Sequence, residues 1–174
     1  MKAYIILAHG FEETEAIAPH GILTRAGIDV KFAGITKTVT GSKGVKIECD
    51  FVYNGEDDAD IIILPGGALG VANLSLCDSL LSTLKTTDSY IAAICAAPSI
   101  LGKVGLLNGK KAACYPDPKF TDHIPNLVAD PIVIDGKIIT ANGAGTSLDF
   151  GFALCELLTD KATCDRVKKA MLYE

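Results

Sequence analysis

The sequence lacks the marks of several large protein classes. No apolar run approaches the roughly 18 residues of a membrane-spanning helix. The opening stretch MKAYIILAHGFEE is apolar for too short a distance to serve as a secretory leader, and it runs directly into acids. No two cysteines form a CxxC pair, and no Cys/His cluster has zinc-ligand spacing. Neither the dinucleotide fingerprint GxGxxG nor a P-loop is present. Basic residues are outnumbered, 16 against 21 acids, for a net charge of −5. Nucleic acid or an anionic membrane is therefore not the expected main partner, because both require clustered Lys and Arg. There is no long linker, internal repeat or low-complexity tract. These absences point to a cytoplasmic protein.

What is present fits one compact unit. A chain of 174 residues suggests a single domain spanning 1–174, able to bury about 70% of its unfolded surface. Hydrophobic residues make up 49% and charged residues 21%, an ordinary globular balance. Without a leader, the six cysteines (Cys49, Cys77, Cys95, Cys114, Cys155 and Cys164) are expected to be reduced thiols.

Short Ile-rich runs at 3–8, 28–33, 60–64 and 90–94 read as buried strands. Helical patterns lie between and after them, at 12–26, 96–107, 147–158 and 161–171. The first carries Ile17, Ile22 and Leu23 on a helical period, and Pro19 within it predicts a kink or break. Ser75 and Asp78 have capping-box spacing ahead of Leu80, Leu81 and Leu84. Asp135-Gly136 predicts a hairpin across 131–141, and 36–53 predicts a small β excursion. Alternating strands and helices indicate an α/β fold with a parallel sheet.

In such sheets, ligands bind beyond the carboxyl ends of the strands. Four loops are expected there: 9–12 (HGFE), 65–68 (PGGA), 95–97 (CAA) and 142–146 (NGAGT). Cys95 stands where a strand ends and a helix begins. Such a junction lifts a side chain out of the sheet, and free amides at a helix start favour thiolate over thiol. A buried space-filling cysteine is the plain alternative, and it is the favoured reading for the other five. Gly66, Gly67 and Ala96 are candidate oxyanion or substrate-binding positions, with a tight β-to-α turn as the plain reading of the glycines. Glu12 and Glu15, at i and i+3, share a helix face, so one of them can reach Cys95 as a general acid or base. Acids in a first helical turn are otherwise ordinary dipole partners. His123 lies in the segment 115–130, which can fold over the site. No histidine neighbours Cys95 in sequence.

The stretches ILAHGFEETE, Arg25-Ala26-Gly27, LPGGALG, AAICAAP and GAGTSLDF, in that order, resemble the ThiJ/PfpI superfamily and specifically its DJ-one branch. The resemblance implies a flavodoxin-like three-layer α/β sandwich, with a mostly parallel sheet, helices on both faces, and homodimer formation. It implies Cys95 as the reactive cysteine at a nucleophile elbow and Glu15 as its protonated partner. The amides of Gly67 and Ala96 would surround the reacting oxygen or oxidised sulfur, and no metal or organic cofactor is required. The implied activity is a cofactor-free glyoxalase or deglycase acting on a small aldehyde, such as methylglyoxal, or on an early glycation adduct. The alternatives are an oxidative-stress sensor or chaperone-like protein working through Cys95 sulfinate, and an amidase or protease. Tyr115 stands where a relative has histidine, Ala144 where some carry proline, and Lys43 where many carry an interface arginine.

Overall fold

The computed structural model describes residues 1–173. In chain order the elements are β1 (Lys2–Leu7), α1 (Glu13–Arg25), β2 (Asp29–Gly34), β3 (Thr38–Thr40), β4 (Lys46–Glu48), β5 (Phe51–Val52) and β6 (Ile61–Leu64). They continue with α2 (Ala68–Leu74), α3 (Asp78–Thr86), β7 (Tyr90–Ile94), α4 (Pro98–Lys103), β8 (Lys111–Ala112), α5 (Pro118–Thr121) and β9 (Asn126–Leu127). The hairpin β10 (Ile132–Asp135) and β11 (Ile138–Ala141), then α6 (Ser147–Leu158) and α7 (Lys161–Ala170), complete the chain.

Seven strands form the central sheet in the order β10-β11-β7-β6-β1-β2-β5. Only β10 runs antiparallel to its neighbour, through the expected hairpin. Gly136 supplies the positive φ of 64° that the turn needs. The sheet separates two cores. Because successive strand residues face opposite ways, Ala3, Ile5 and Leu7 of β1 join one core, while Tyr4 and Ile6 join the other. Strands β6 and β7 divide in the same way, with Ile61, Ile63, Ala92 and Ile94 facing one core and Ile62, Leu64, Ile91 and Ala93 the other. Helices α1, α6 and α7 close the first core, and α2, α3 and α4 close the second. This is the flavodoxin-like three-layer sandwich.

Four local expectations are corrected. Helix α1 runs unbroken through Pro19. Pro19 is buried where α1 crosses α6, and a Cβ at Gly151 would lie 3.2 Å from its Cα, so close packing offsets the lost backbone bond. Ile17 is not a core residue; it is 46% exposed. The capping box does not form: Ser75 ends α2, and its hydroxyl donates to Val71 O at 2.8 Å. The helix expected over 96–107 is only six residues long and ends ahead of Gly105, which turns the chain at φ 81°.

Candidate active site

Strands β1, β6, β7 and β11 deliver their carboxyl ends to one edge of the sheet. All four expected loops meet there around a cavity of about 910 Å³, whose lining includes His9, Glu12, Gly67, Cys95, Ala96 and Ala144. The turn 40–43 forms one further wall, and Tyr115, Asp117, Lys119 and Phe120 form another. The first part of the segment 115–130 therefore does fold over the site.

Cys95 is the hinge of the arrangement. Its φ of 62° is left-handed, a conformation that costs a non-glycine residue about 1–2 kcal/mol. The surroundings fix it: Cys95 N–H donates to Ala141 O at 2.9 Å, and Tyr115 N–H donates to Cys95 O at 2.7 Å. The strained turn raises the side chain above the sheet and leaves the sulfur half-buried, facing the N–H groups of Gly67 and Ala96.

Glu15, in the first turn of α1, is fully buried at the base of the cavity. The choice between Glu12 and Glu15 is settled by capping. Glu12 turns back to accept from Glu15 N–H at 3.0 Å as the N-cap of α1, while Glu15 points to Cys95. Glu15 Oε2 accepts from Gly66 N–H at 2.6 Å, Oε1 is buried without a hydrogen-bond partner, and the carboxyl group interacts with the Cys95 thiol. Gly66, expected to serve substrate, thus has its N–H committed to Glu15 and does not line the cavity. Its lack of a side chain is essential, since a Cβ would lie 2.7 Å from Glu15 Oε2 and 2.8 Å from Cys95 Cβ. Gly67 adopts φ 87°, and a Cβ there would lie 2.3 Å from Gly10 O.

The electrostatics differ from the expectation that the elbow by itself favours thiolate. Burial pushes the Glu15 carboxyl up to about 7, against the pull of the Gly66 N–H and the thiol. Burial first, and then the charge of Glu15, push Cys95 up to about 12, although the N–H groups of Ala96 and Gly67 oppose this. Helix α4 is too short to reverse it. Cys95 and Glu15 therefore titrate as a pair: the ionised carboxylate holds the thiol up, and a proton shared between them can sit on either member.

The histidines stand apart from this pair. His9 lines the cavity, but its Nδ1 accepts from Thr40 N–H at 3.1 Å. His123 is exposed and does not line the cavity, while His20 stacks on Phe32 at 4.5 Å. Tyr115 is half-exposed on the cavity wall, edge-on to Phe120 at 6.4 Å between ring centres. Among the described residues, no three His, Cys, Asp or Glu side chains converge closely enough to hold a metal ion.

Sequence reasoning missed Glu13, taking it as a dipole acid. It is buried and accepts from Lys43 N–H at 2.6 Å and Ser42 Oγ at 3.1 Å, anchoring the 41–44 turn at the cavity rim. Burial alone would raise its carboxyl, but these donors outweigh burial and hold it below the usual range. The only sequence cue was an acid two residues from Glu15.

Known proteins share this architecture. The chain is 38% identical over 178 residues to Protein DJ-1 homolog A of Arabidopsis thaliana, covering 97% of this chain and 45% of that protein, so it spans less than half of that relative's length. It is 33% identical over 154 residues to the Caenorhabditis elegans protein named glutathione-independent glyoxalase DJR-1.2, covering 84% of this chain and 82% of that one. Among solved structures, oxidised Toxoplasma gondii DJ-1 superimposes with a TM-score of 0.92 at 32% identity, covering 99% of this chain and 98% of the other. A model of the DJ-1/PfpI family matches residues 1–157. On its fold, its elbow cysteine and this match, the chain belongs to the DJ-1/PfpI family.

Proposed function

We propose that this protein is a cofactor-independent glyoxalase or deglycase-type enzyme in which Cys95 attacks an aldehyde carbon. The observation that carries this reading is the buried Glu15 carboxyl beside the Cys95 thiol, below an open cavity. The name of the worm relative, a glutathione-independent glyoxalase, supports the same chemistry.

With methylglyoxal, the Cys95 sulfur adds to the aldehyde carbon and gives a hemithioacetal, the thiol proton passing by way of Glu15 to the new oxygen. The N–H groups of Gly67 and Ala96 stabilise the negative charge on that oxygen. Glu15 then takes the proton from the former aldehyde carbon and returns one to the neighbouring carbon, leaving a thioester of lactate. Water hydrolyses the thioester, releasing lactate and the free thiol. One dicarbonyl and one water thus become one hydroxy acid with no external oxidant. Deglycation starts from the same kind of thiol adduct. Tyr115 and Phe120 wall the side of the cavity that the rest of the substrate would occupy. His9 is a poor candidate for a general base, because the nitrogen it would use already accepts from Thr40.

The test is lactate formation from methylglyoxal without glutathione. Wild type should turn over, and Cys95→Ala should lose activity by at least about a hundredfold. Comparable rates in the two proteins would exclude the mechanism.

A second reading is favoured by the two N–H groups facing the sulfur, which would equally stabilise a Cys95 sulfinate. It predicts selective Cys95 oxidation by mild peroxide, with no aldehyde turnover.

A further inference from the structure

Cys114 does not line the cavity, yet it touches the nucleophile's backbone. It is 5% exposed, and its thiol donates to the carbonyl oxygen of Cys95 at 3.2 Å. The next residue, Tyr115, donates its N–H to the same oxygen at 2.7 Å. The Cys114 sulfur also lies 3.8 Å from Phe120 O, the carbonyl of a cavity-wall residue. Three things meet at one sulfur: the strained elbow, the chain entering the 115–121 wall, and that wall's aromatic end. Burial pushes this thiol up to about 12, so it keeps its proton, and its capacity to donate, across the working pH range.

We propose that Cys114 is a positioning residue: its buried S–H, donated to Cys95 O, holds the left-handed elbow that aims the Cys95 sulfur at the N–H groups of Gly67 and Ala96. This rests on Cys95 being the reactive thiol. An apolar residue at 114 would leave the carbonyl to Tyr115 alone. The elbow would relax, and the sulfur would lose part of the N–H contact that stabilises its ionised form.

The test compares Cys114→Ala and Cys114→Ser with wild type by peptide-resolved mass spectrometry of Cys95 alkylation with iodoacetamide across pH. Methylglyoxal turnover is measured in parallel. The alanine variant should alkylate Cys95 about three- to tenfold more slowly at fixed pH, as expected for one lost hydrogen bond. Its alkylation midpoint should move up in pH, and kcat should fall with KM little changed. Serine restores an O–H donor and should recover most of the rate and the midpoint. Alkylation of Cys95 in the alanine variant at the wild-type rate and midpoint would overturn the proposal. So would a serine variant as impaired as the alanine one while equally well folded by circular dichroism. If wild type alkylates at Cys95 but turns over no aldehyde, the enzymatic reading fails while alkylation still decides the role of Cys114.

Discussion

Cys95 and Glu15 act as one titrating unit, and two predictions follow from the proton they share. In the proposed mechanism the reactive form is the one with Glu15 ionised, so kcat/KM should rise as pH increases through about 7. In Glu15→Gln that inflection should vanish and the rate should fall by about 10²–10⁴-fold; an unchanged profile would remove Glu15 from the mechanism. The same carboxyl sets a stability trend. Its folded value, about 7, lies above the ordinary 4.5, so stability on this account is fullest below pH 4.5, where the carboxyl is neutral both folded and unfolded, and is lost as pH rises through 7. Above pH 7 the ionised carboxyl costs the folded state about 3 kcal/mol. Glu15→Gln should therefore gain Tm relative to wild type between pH 5 and 8, although it loses activity. At this scale much was legible in the sequence. The strand-to-helix junction marked Cys95, and i, i+3 spacing confined its partner to Glu12 or Glu15. The role of Gly66 was not legible, because a backbone N–H can serve substrate or a carboxylate, and only the fold decides which. Cys114 and Glu13 were not legible because each acts on residues distant in sequence, 19 and about 30 positions away respectively.

Among the elements, the 41–44 turn depends on a helix that is remote in sequence. Glu13 of α1 takes the Lys43 N–H and the Ser42 hydroxyl, and the turn then walls the cavity. Glu13→Ala should leave these donors without their partner and destabilise the protein by about 1–3 kcal/mol. The Lys43 amide should exchange with solvent much faster than in wild type, while Glu13→Gln, which keeps an acceptor, should stay close to wild type. Equal exchange in all three proteins would mean that Glu13 does not hold the turn. The element errors have physical causes. Pro19 signals a break only where packing does not compensate, and here the close approach of Gly151 supplies that packing. Ser75 and Asp78 have capping-box spacing, but Ser75 was already spent closing α2. Helix α4 stops early because Gly105 takes a positive φ that the periodicity of 96–107 conceals.

The whole molecule is a sheet with a core on each face, and its strands were the most legible part because each is a nearly continuous apolar run. The order β10-β11-β7-β6-β1-β2-β5 places β7, β6 and β1 side by side at the centre, so the loops that carry Gly67 and Cys95 and the first turn of α1, which carries Glu15, have to meet. Ile63 is fully buried at that centre. Ile63→Ala should cost about 2–5 kcal/mol by denaturant unfolding; a loss below 0.5 kcal/mol would contradict the packing described. In the proposed function this scaffold serves to let Cys95 attack an aldehyde. That role is tested most directly by quenching the enzyme during methylglyoxal turnover and locating the adduct by peptide mass spectrometry. A methylglyoxal-derived adduct should form on Cys95 and decay in step with lactate release, with neither adduct nor lactate from Cys95→Ala. Lactate formed at the wild-type rate by Cys95→Ala, or with Cys95 unmodified throughout turnover, would contradict it.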